Sequence, residues 1–516
     1  MTLTPSFINP LTEAHRFTKV AESCILVIFG ATGDLTARKL IPALYHLALE
    51  GQLPSHFACV GFARRSKTNE QFRQEMHEAV TEFSRSKPIN DELWEKFQEN
   101  LFYHQSEFDQ DQGYEELKKL LDKLDFQLGT KGNRVFYLSV QPSYFPIIVE
   151  KLSQHQLIYD VDQTKDKWSR MIIEKPFGED TKSAKQLQQH LMHYLDEKQI
   201  YRIDHYLGKE TVQNILVFRF SNPIFEAVWN NQYIDNIQIT VGEEIGIGSR
   251  GRFFEEAGML RDIVQNHVMQ LLTLVAMEPP INLQAQAIHD EKVKVLQSMR
   301  SFSPEQIDQY VIRGQYGPGF INGEPVKGYR EEENVNPQSN VETFVALECY
   351  IDNWRWYGVP FYLRAGKRLP KRATEISITF KKAPQYLFQE MTSTIESNIL
   401  VIRIQPNEGI SFKMNCKVPA LNTVVQPVKM DFRYGSYFGA TPPEAYERLI
   451  CDCMAGDNTL FARDDEVLMS WKLLTPVLEH WLSHPPKDFP NYASGTWGPE
   501  AADQLLQRRG RQWRLI

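Results

Sequence analysis

The run Cys24–Phe29 (C-I-L-V-I-F) is apolar at every position and opens directly into G-A-T-G-D-L at 30–35. A short run that is apolar on both faces reads as a parallel strand buried inside a sheet. Parallel neighbours cannot be joined by a hairpin and need a crossover, usually a helix. The next residues supply one. Leu35, Leu40, Leu44 and Leu47 suggest an amphipathic helix through 31–48, with Pro42 marking a bend or a restart. A second buried strand, Phe57–Ala63 (F-A-C-V-G-F-A), follows. Strand, glycine turn, helix, strand is the opening of a doubly wound, Rossmann-type α/β domain.

Helical spacing continues across 68–126, through Phe72, Met76, Val80 and Phe83 and then Leu117, Leu120, Leu121 and Leu124. Further buried strands are expected at 134–140 and 171–174. Beyond about residue 212 the texture changes to alternation, as in I-D-N-I-Q-I-T-V (234–241) and E-I-S-I-T-F-K (375–381). That period predicts a mainly antiparallel sheet with one face wet, interrupted by one strong helix over 258–277. The expected fold is α/β. An N-terminal doubly wound dinucleotide domain spans 22–203, and a larger C-terminal α+β domain for substrate and oligomerisation spans 204–516.

Composition narrows the function classes. The chain has 516 residues, 42% hydrophobic and 24% charged, the balance of an ordinary globular protein. Lys plus Arg number 57 against 65 Asp plus Glu, a formal charge of −8, which argues against nucleic acid as a partner despite the basic R-R-G-R-Q-W-R at 508–514. The six cysteines include no C-x-x-C pair and read as buried thiols in a reducing compartment. No secretory signal and no run near the ~20 apolar residues of a membrane span is visible, so a cytoplasmic location is expected.

Several groups can carry chemistry. Gly30 and Gly33 let the backbone approach a pyrophosphate, and the helix start beyond them offers N–H groups and partial positive charge. The candidate cradle is Gly30, Ala31, Thr32, Gly33, Asp34 and Leu35; because Leu35 stands where a third glycine is usual, a plain tight turn competes. The second strand runs into Arg64, Arg65, Ser66 and Lys67 with no acid. An acid there would hold a free ribose hydroxyl and an arginine accommodates a 2′-phosphate, so NADP is favoured over NAD, with a solvated basic loop as the alternative.

In I-I-E-K-P-F-G (172–178), Lys175 and Pro176 end a buried strand, where the amine either orients a substrate hydroxyl or marks an ordinary strand exit. In R-I-D-H-Y-L-G-K-E (202–210), His205 and Lys209 share one face if the segment is helical. There they either converge on an anion such as phosphate or form a surface pair. Asp204 then points about 100° away from His205. The segment 252–270 carries Asp262 and His267, about 140° apart on an α-helix and so unable to pair with each other. They grip a ligand from two sides, or His267 takes a carboxylate from elsewhere, or it is a satisfied core histidine. L-R-A-G-K-R-L-P-K-R (363–372) gathers Arg364, Lys367, Arg368, Lys371 and Arg372 in a loop suited to phosphate or to solvent.

Together and in this order, G-A-T-G-D-L, R-I-D-H-Y-L-G-K-E, R-D-I-V-Q-N-H and Y-E-R-L-I (446–450) resemble the glucose-6-phosphate dehydrogenase family over nearly the whole chain. The resemblance implies an enzyme in which His267 is the catalytic base for the anomeric hydroxyl, oriented by Asp204. It assigns His205, Tyr206 and Lys209 to the substrate phosphate, and Lys175, Glu243, Asp262, Lys367, Arg372 and Gln405 to the rest of the sugar site. Arg64 would meet the 2′-phosphate, Lys175 would also touch the cofactor, and Pro176 would act as a hinge. The implied cofactor is NADP without a metal, the substrate glucose 6-phosphate, the product 6-phosphogluconolactone. The implied assembly is a homodimer or homotetramer with no nucleic-acid or membrane partner. Some members hold a second, structural NADP; Arg364, Arg403 and Trp513 fit that pattern, whereas Ala373 and Ser377 stand where lysine and arginine would be expected.

Overall fold

The structure, a computed structural model, describes residues 21–161, 166–384, 395–419, 423–439 and 443–516. They cluster into two compact units. The first takes the chain up to Glu174 with His190–Ile203 and Tyr446–Phe461; the second takes Lys175–Gln189, Asp204–Ala445 and Ala462–Ile516.

The first unit is built on β1 (Cys24–Phe29), β2 (Phe57–Ala63), β3 (Leu101–Gln105), β4 (Arg134–Leu138), β5 (Ser169–Glu174) and β6 (Ile200–Ile203). Their spatial order is β3-β2-β1-β4-β5-β6, every neighbouring pair parallel. The order reverses between β1 and β4, and in doubly wound sheets ligands bind at that switch point, off the carboxyl ends of the strands. β1, β2 and β4 are buried at every position, as the unbroken apolar runs of β1 and β2 require, while β4 opens on Arg134, which pairs with Asp122 and Asp125.

Two expectations are refined here. Residues 34–49 form one continuous helical run whose winding changes: Thr36–Leu40 is π-wound and Ile41–Leu49 is α-helical, with Pro42 in the first turn of the α-helix, where a bend or restart is expected. Ile41 to Leu47 are all buried, packed in one cluster with Phe72, Met76, Leu449 and Ile450. The region 68–126 also contains a strand, β3, between the helices Asp91–Gln98 and Asp111–Leu128. Five residues long, with only Leu101 and His104 buried, β3 lacks the apolar run of its partners.

The second unit carries an eight-stranded sheet: β7 (Ile234–Gly242), β8 (Val311–Gly314), β9 (Phe344–Cys349), β10 (Phe361–Gly366), β11 (Ala373–Phe380), β12 (Ile399–Gln405), β13 (Gly409–Lys417) and β14 (Val425–Arg433). The order is β14-β13-β12-β11-β7-β10-β9-β8, antiparallel throughout except between β7 and β10. The wet face expected from alternation is absent in the central strands. In β7 the polar residues Asn236, Gln238 and Thr240 are themselves buried. Gln238 exchanges hydrogen bonds with the Gln512 carbonyl and the Arg514 N–H, and Thr240 Oγ1 accepts from Arg364. The alternation is real, but the chain's own C-terminal segment covers the polar face. Arg508, Arg509, Arg511 and Arg514 pin that segment through ion pairs with Glu348, Asp235 and Glu375.

All six cysteines are free, and burial pushes the Cys24 and Cys59 thiols up to about 12. Among the described residues no helix is long and apolar enough to cross a membrane.

Candidate active site

Two pieces of irregular backbone build the pocket of the second unit. β6 ends at Ile203, and 204–209 form a turn rather than the helix expected from the His205/Lys209 spacing; the helix Glu210–Phe220 begins only after Lys209. Asp204 Oδ1 accepts the Tyr206 N–H at 2.9 Å and its carbonyl accepts from Leu207 at 3.0 Å, which closes the turn. Gly208 is required by close approach: a Cβ there would lie 2.8 Å from the Ala445 carbonyl oxygen.

The second piece is the expected helix at 258–277, whose winding differs. Gly258 has φ 63° and breaks the helix Gly251–Met259; Leu260–Val268 is π-wound, and Met269–Ala276 is α-helical again. In a π-winding the hydrogen bonds run i to i+5, so residues five apart come nearly above one another. Asp262 and His267 therefore share a face instead of lying across the helix. Lys175 Nζ bridges them, donating to the Asp262 carbonyl at 2.7 Å and to Asp262 Oδ1 at 3.0 Å, and lying 3.3 Å from His267 Nε2.

His267 is held on every side. Its Nδ1 is 2.5 Å from Asp204 Oδ1, the Tyr206 ring stacks on it at 4.2 Å, and the His205 ring lies 4.6 Å away. A histidine whose Nδ1–H is claimed by a carboxylate presents Nε2 as its basic nitrogen. Burial pushes the Asp204 carboxyl up, but His267 and the Tyr206 amide reverse this and bring it down to about 2. Burial lowers His267, partly offset by Asp204 and reinforced by Lys175. The pair thus rests as carboxylate and neutral imidazole. Asp204 Oδ2 is buried without a hydrogen-bond partner, which leaves its charge available to a protonated ring.

Around His267 lie other cationic and polar groups. Lys367, 1% exposed, pairs with Glu243. Burial pushes Asp262 up, and Lys175 and Lys367 draw it down to about 2. A second cluster centres on Gln405 at the end of β12: its Oε1 accepts from Lys209 at 2.7 Å and Arg372 at 3.1 Å. Its Nε2 donates to Thr374 Oγ1 at 3.2 Å, which also faces the Tyr206 hydroxyl at 3.2 Å. Thr374, 1% exposed, was not among the expected site residues; in the alternating β11 sequence it looks like any strand threonine. Burial and the neighbouring His267 hold His205 well below its ordinary value.

The basic run 363–372 divides. Arg364 lies within β10, not in the loop, with its guanidinium 4.8 Å from the Trp497 ring and 4.4 Å from that of Trp513. Arg368 pairs with Glu332 at 3.3 Å, and Arg403 with Asp431 at 2.7 Å.

The glycine turn after β1 belongs to the first unit. Gly30, with φ 84°, follows β1; a Cβ there would lie 2.1 Å from the Ser139 carbonyl oxygen, so only glycine fits. The Gly33 N–H closes the turn on the Gly30 carbonyl at 2.9 Å, and Ala31 is buried beneath it. Thr32, Asp34 and Leu35 follow at the helix start, where first-turn N–H groups have no intrahelical acceptor. Arg64 leaves the end of β2 with its side chain 61% exposed and 3.9 Å from Glu107.

Oxidising an alcohol needs a hydride acceptor and a base for the hydroxyl proton. A switch-point glycine turn in one unit and a carboxylate-oriented imidazole in the other define a dinucleotide-dependent dehydrogenase acting on a CH–OH group. The family models "Glucose-6-phosphate dehydrogenase, NAD binding domain" and "Glucose-6-phosphate dehydrogenase, C-terminal domain" match residues 27–214 and 216–514. The chain belongs to the glucose-6-phosphate dehydrogenase family. It is 60% identical over 496 residues to the glucose-6-phosphate 1-dehydrogenase of Chlamydia pneumoniae, covering 96% of each chain. It is 44% identical to that of Bacillus subtilis (strain 168), covering 95% of this chain and 98% of the other. A solved glucose-6-phosphate dehydrogenase in complex with glucose 6-phosphate superposes with a TM-score of 0.86 at 37% identity, over 96% of this chain and all of that one. The Mycobacterium avium enzyme does so at 0.81 and 34%, over 96% of this chain and 99% of its own.

Proposed function

We propose that this chain oxidises glucose 6-phosphate at C1 to 6-phosphoglucono-1,5-lactone with NADP as acceptor, and that His267 is the base. The observation that carries the residue assignment is the 2.5 Å contact between His267 Nδ1 and Asp204, which turns Nε2 toward Lys175 and Asp262. Nε2 takes the O1–H proton as the C1–H bond breaks and the C1=O bond forms. Asp204 keeps the ring in the right tautomer and stabilises the imidazolium. Lys175, already in hydrogen-bond reach of Nε2, hands over its place to the O1 hydroxyl and orients it. Bound NADP supplies the two-electron acceptor for the C1 hydride. Gly30, Ala31, Thr32, Gly33, Asp34 and Leu35 would hold its pyrophosphate, with Arg64 at the 2′-phosphate; the Cβ-free approach at Gly30 fits that group.

His205, Tyr206 and Lys209 receive the substrate phosphate, and Arg372 and Gln405, which the resemblance gives to the rest of the sugar site, join them because Gln405 Oε1 accepts from both Lys209 and Arg372. An arriving dianion would raise the His205 pKa from its lowered resting value and recruit a further charged donor. Lys367, Glu243 and Asp262 hold the sugar hydroxyls. Family membership also supports a homodimer or homotetramer in the cytoplasm, checked by light scattering on the purified protein.

The test is NADPH formation with glucose 6-phosphate, glucose and galactose 6-phosphate, each with NADP and with NAD. Turnover confined to glucose 6-phosphate and favouring NADP is expected. Comparable turnover on free glucose would overturn the phosphate assignment.

A further inference from the structure

Glu342 takes no part in the proton transfer above, yet it is a carboxylate buried to 6% exposure against the start of the segment that performs it. Its Oε1 accepts the Leu260 N–H at 3.0 Å, and its main-chain carbonyl accepts the Met259 N–H at 3.0 Å. Both bonds fall immediately after Gly258, where a Cβ would lie 2.5 Å from that same Oε1. One residue thus receives a helix start twice, at a spot where a side-chain-free backbone lets it approach. First-turn N–H groups and the helix dipole favour an anion there.

The segment it caps needs an external anchor. π-winding occurs mostly as single-turn bulges, whereas Leu260–Val268 keeps it for nine residues, through Asp262 and His267. The next residue ties the other wall of the pocket to the same point: the Thr343 carbonyl accepts the Lys367 N–H at 3.0 Å. Residues 342 and 343 therefore set the spacing between the helix bearing the base and the backbone bearing Lys367. Burial pushes the Glu342 carboxyl above its usual range, against the pull of the Leu260 amide, Arg261 and Arg313.

We propose that Glu342 is a positioning residue for the reaction, fixing the height of the π-wound segment so that His267 meets Asp204 and Lys175. The assignment rests on the reading of His267 as the base.

Glu342→Ala, Glu342→Gln and Glu342→Asp are compared with the wild type for kcat, KM and NADP affinity. The low-field proton NMR signal of the short His267–Asp204 hydrogen bond is followed in each. Glutamine keeps an oxygen acceptor at Leu260 and is expected to retain most of kcat and the signal. Alanine is expected to lower kcat by ~100-fold, the scale of an ångström-sized misplacement, with the signal shifted or lost and NADP affinity unchanged. If the alanine variant does not fold, the shorter aspartate decides, with a smaller loss of kcat and a displaced signal expected. A folded alanine or aspartate variant with wild-type kcat, a loss of kcat with the signal unmoved, or a glutamine variant no better than alanine would each overturn the proposal. A wild type that does not oxidise glucose 6-phosphate would defeat the functional reading instead, and the NMR signal would still report on Glu342.

Discussion

The cluster around His267 and the glycine turn, the proposed substrate and nucleotide sites, are made in opposite ways. In the pocket, ionisable groups hold one another before any ligand arrives: Asp204, His267 and Lys367 are each at most 2% exposed and each has an ionisable partner. At the nucleotide turn the backbone does the work, and the side chains that would meet the ligand stand in solvent, Asp34 at 80% and Arg64 at 61% exposure. Buried charges act in a low dielectric and need no reorganisation when the reaction occurs. Exposed ones contribute only when a ligand completes them. Truncation in the pocket should therefore strand a buried partner and damage chemistry or stability. Truncation at the turn should affect only the ligand that is missing its contact.

The largest effect should come from His267→Asn. Loss of a general base costs ~10²–10⁴-fold, so turnover should fall on that scale with NADP affinity intact. Near-normal turnover would break the contrast at its centre. Next comes Glu466, fully buried, which accepts from His289 at 2.6 Å, Lys292 at 2.7 Å and Gln270, three residues after the base, at 3.0 Å. Burial pushes Glu466 up, but Lys292 and His289 hold it down to about 2. Glu466→Ala leaves the buried Lys292 ammonium uncompensated and strips His289 and Gln270 of their acceptor, and should cost about 3–5 kcal/mol of unfolding free energy in urea titration; a loss near that of an exposed pair would mean the cluster does not hold the fold. Arg64→Ala marks the other side of the comparison. A charge-assisted bond to a phosphate contributes about 1.5–3 kcal/mol. NADP should therefore bind ~10–100-fold more weakly while NAD binding and thermal stability stay put. Equal losses for both nucleotides would remove Arg64 from the 2′-phosphate.

The same contrast separates what the sequence makes legible from what it conceals. β1, Gly30 and β2 are readable because a strand buried on both faces must be apolar throughout and a positive φ beside a carbonyl must be glycine. β3 is hidden because a short strand with two buried residues carries no period of its own. In the pocket, residue types were readable but geometry was not. Asp204 and His267 lie 63 positions apart, and only the resemblance pairs them. Helical angles computed from an α-winding misplace Asp262 against His267, because nothing in L-R-D-I-V-Q-N-H-V announces a π-winding. Glu342 looks like a strand-leading acid, since its role depends on Gly258, which is distant in sequence.

The smallest effect is the most direct reading of the pocket's electrostatics. As the proposed base His267 must be neutral, so kcat/KM should rise with pH through the free enzyme's imidazole pKa and then level off. Burial moves that pKa below the ordinary ~6.5, Asp204 pulls it back up, and the Lys175 ammonium pushes it down again. The acid limb should therefore lie below ~6.5. Removing the ammonium with Lys175→Met should move it upward, toward Asp204's control, besides lowering kcat. The stability linkage has the same sign: a depressed folded pKa means the contribution is present above the unfolded value and is lost as pH falls through the folded one. Urea titrations across the same pH range should then show stability falling from ~6.5 downward in the wild type, and falling less in Lys175→Met, whose folded imidazole pKa lies nearer the unfolded one. A limb that stays in place when the lysine is gone would mean that the amine does not face Nε2, and the pocket would lose the link that joins its base to Asp262.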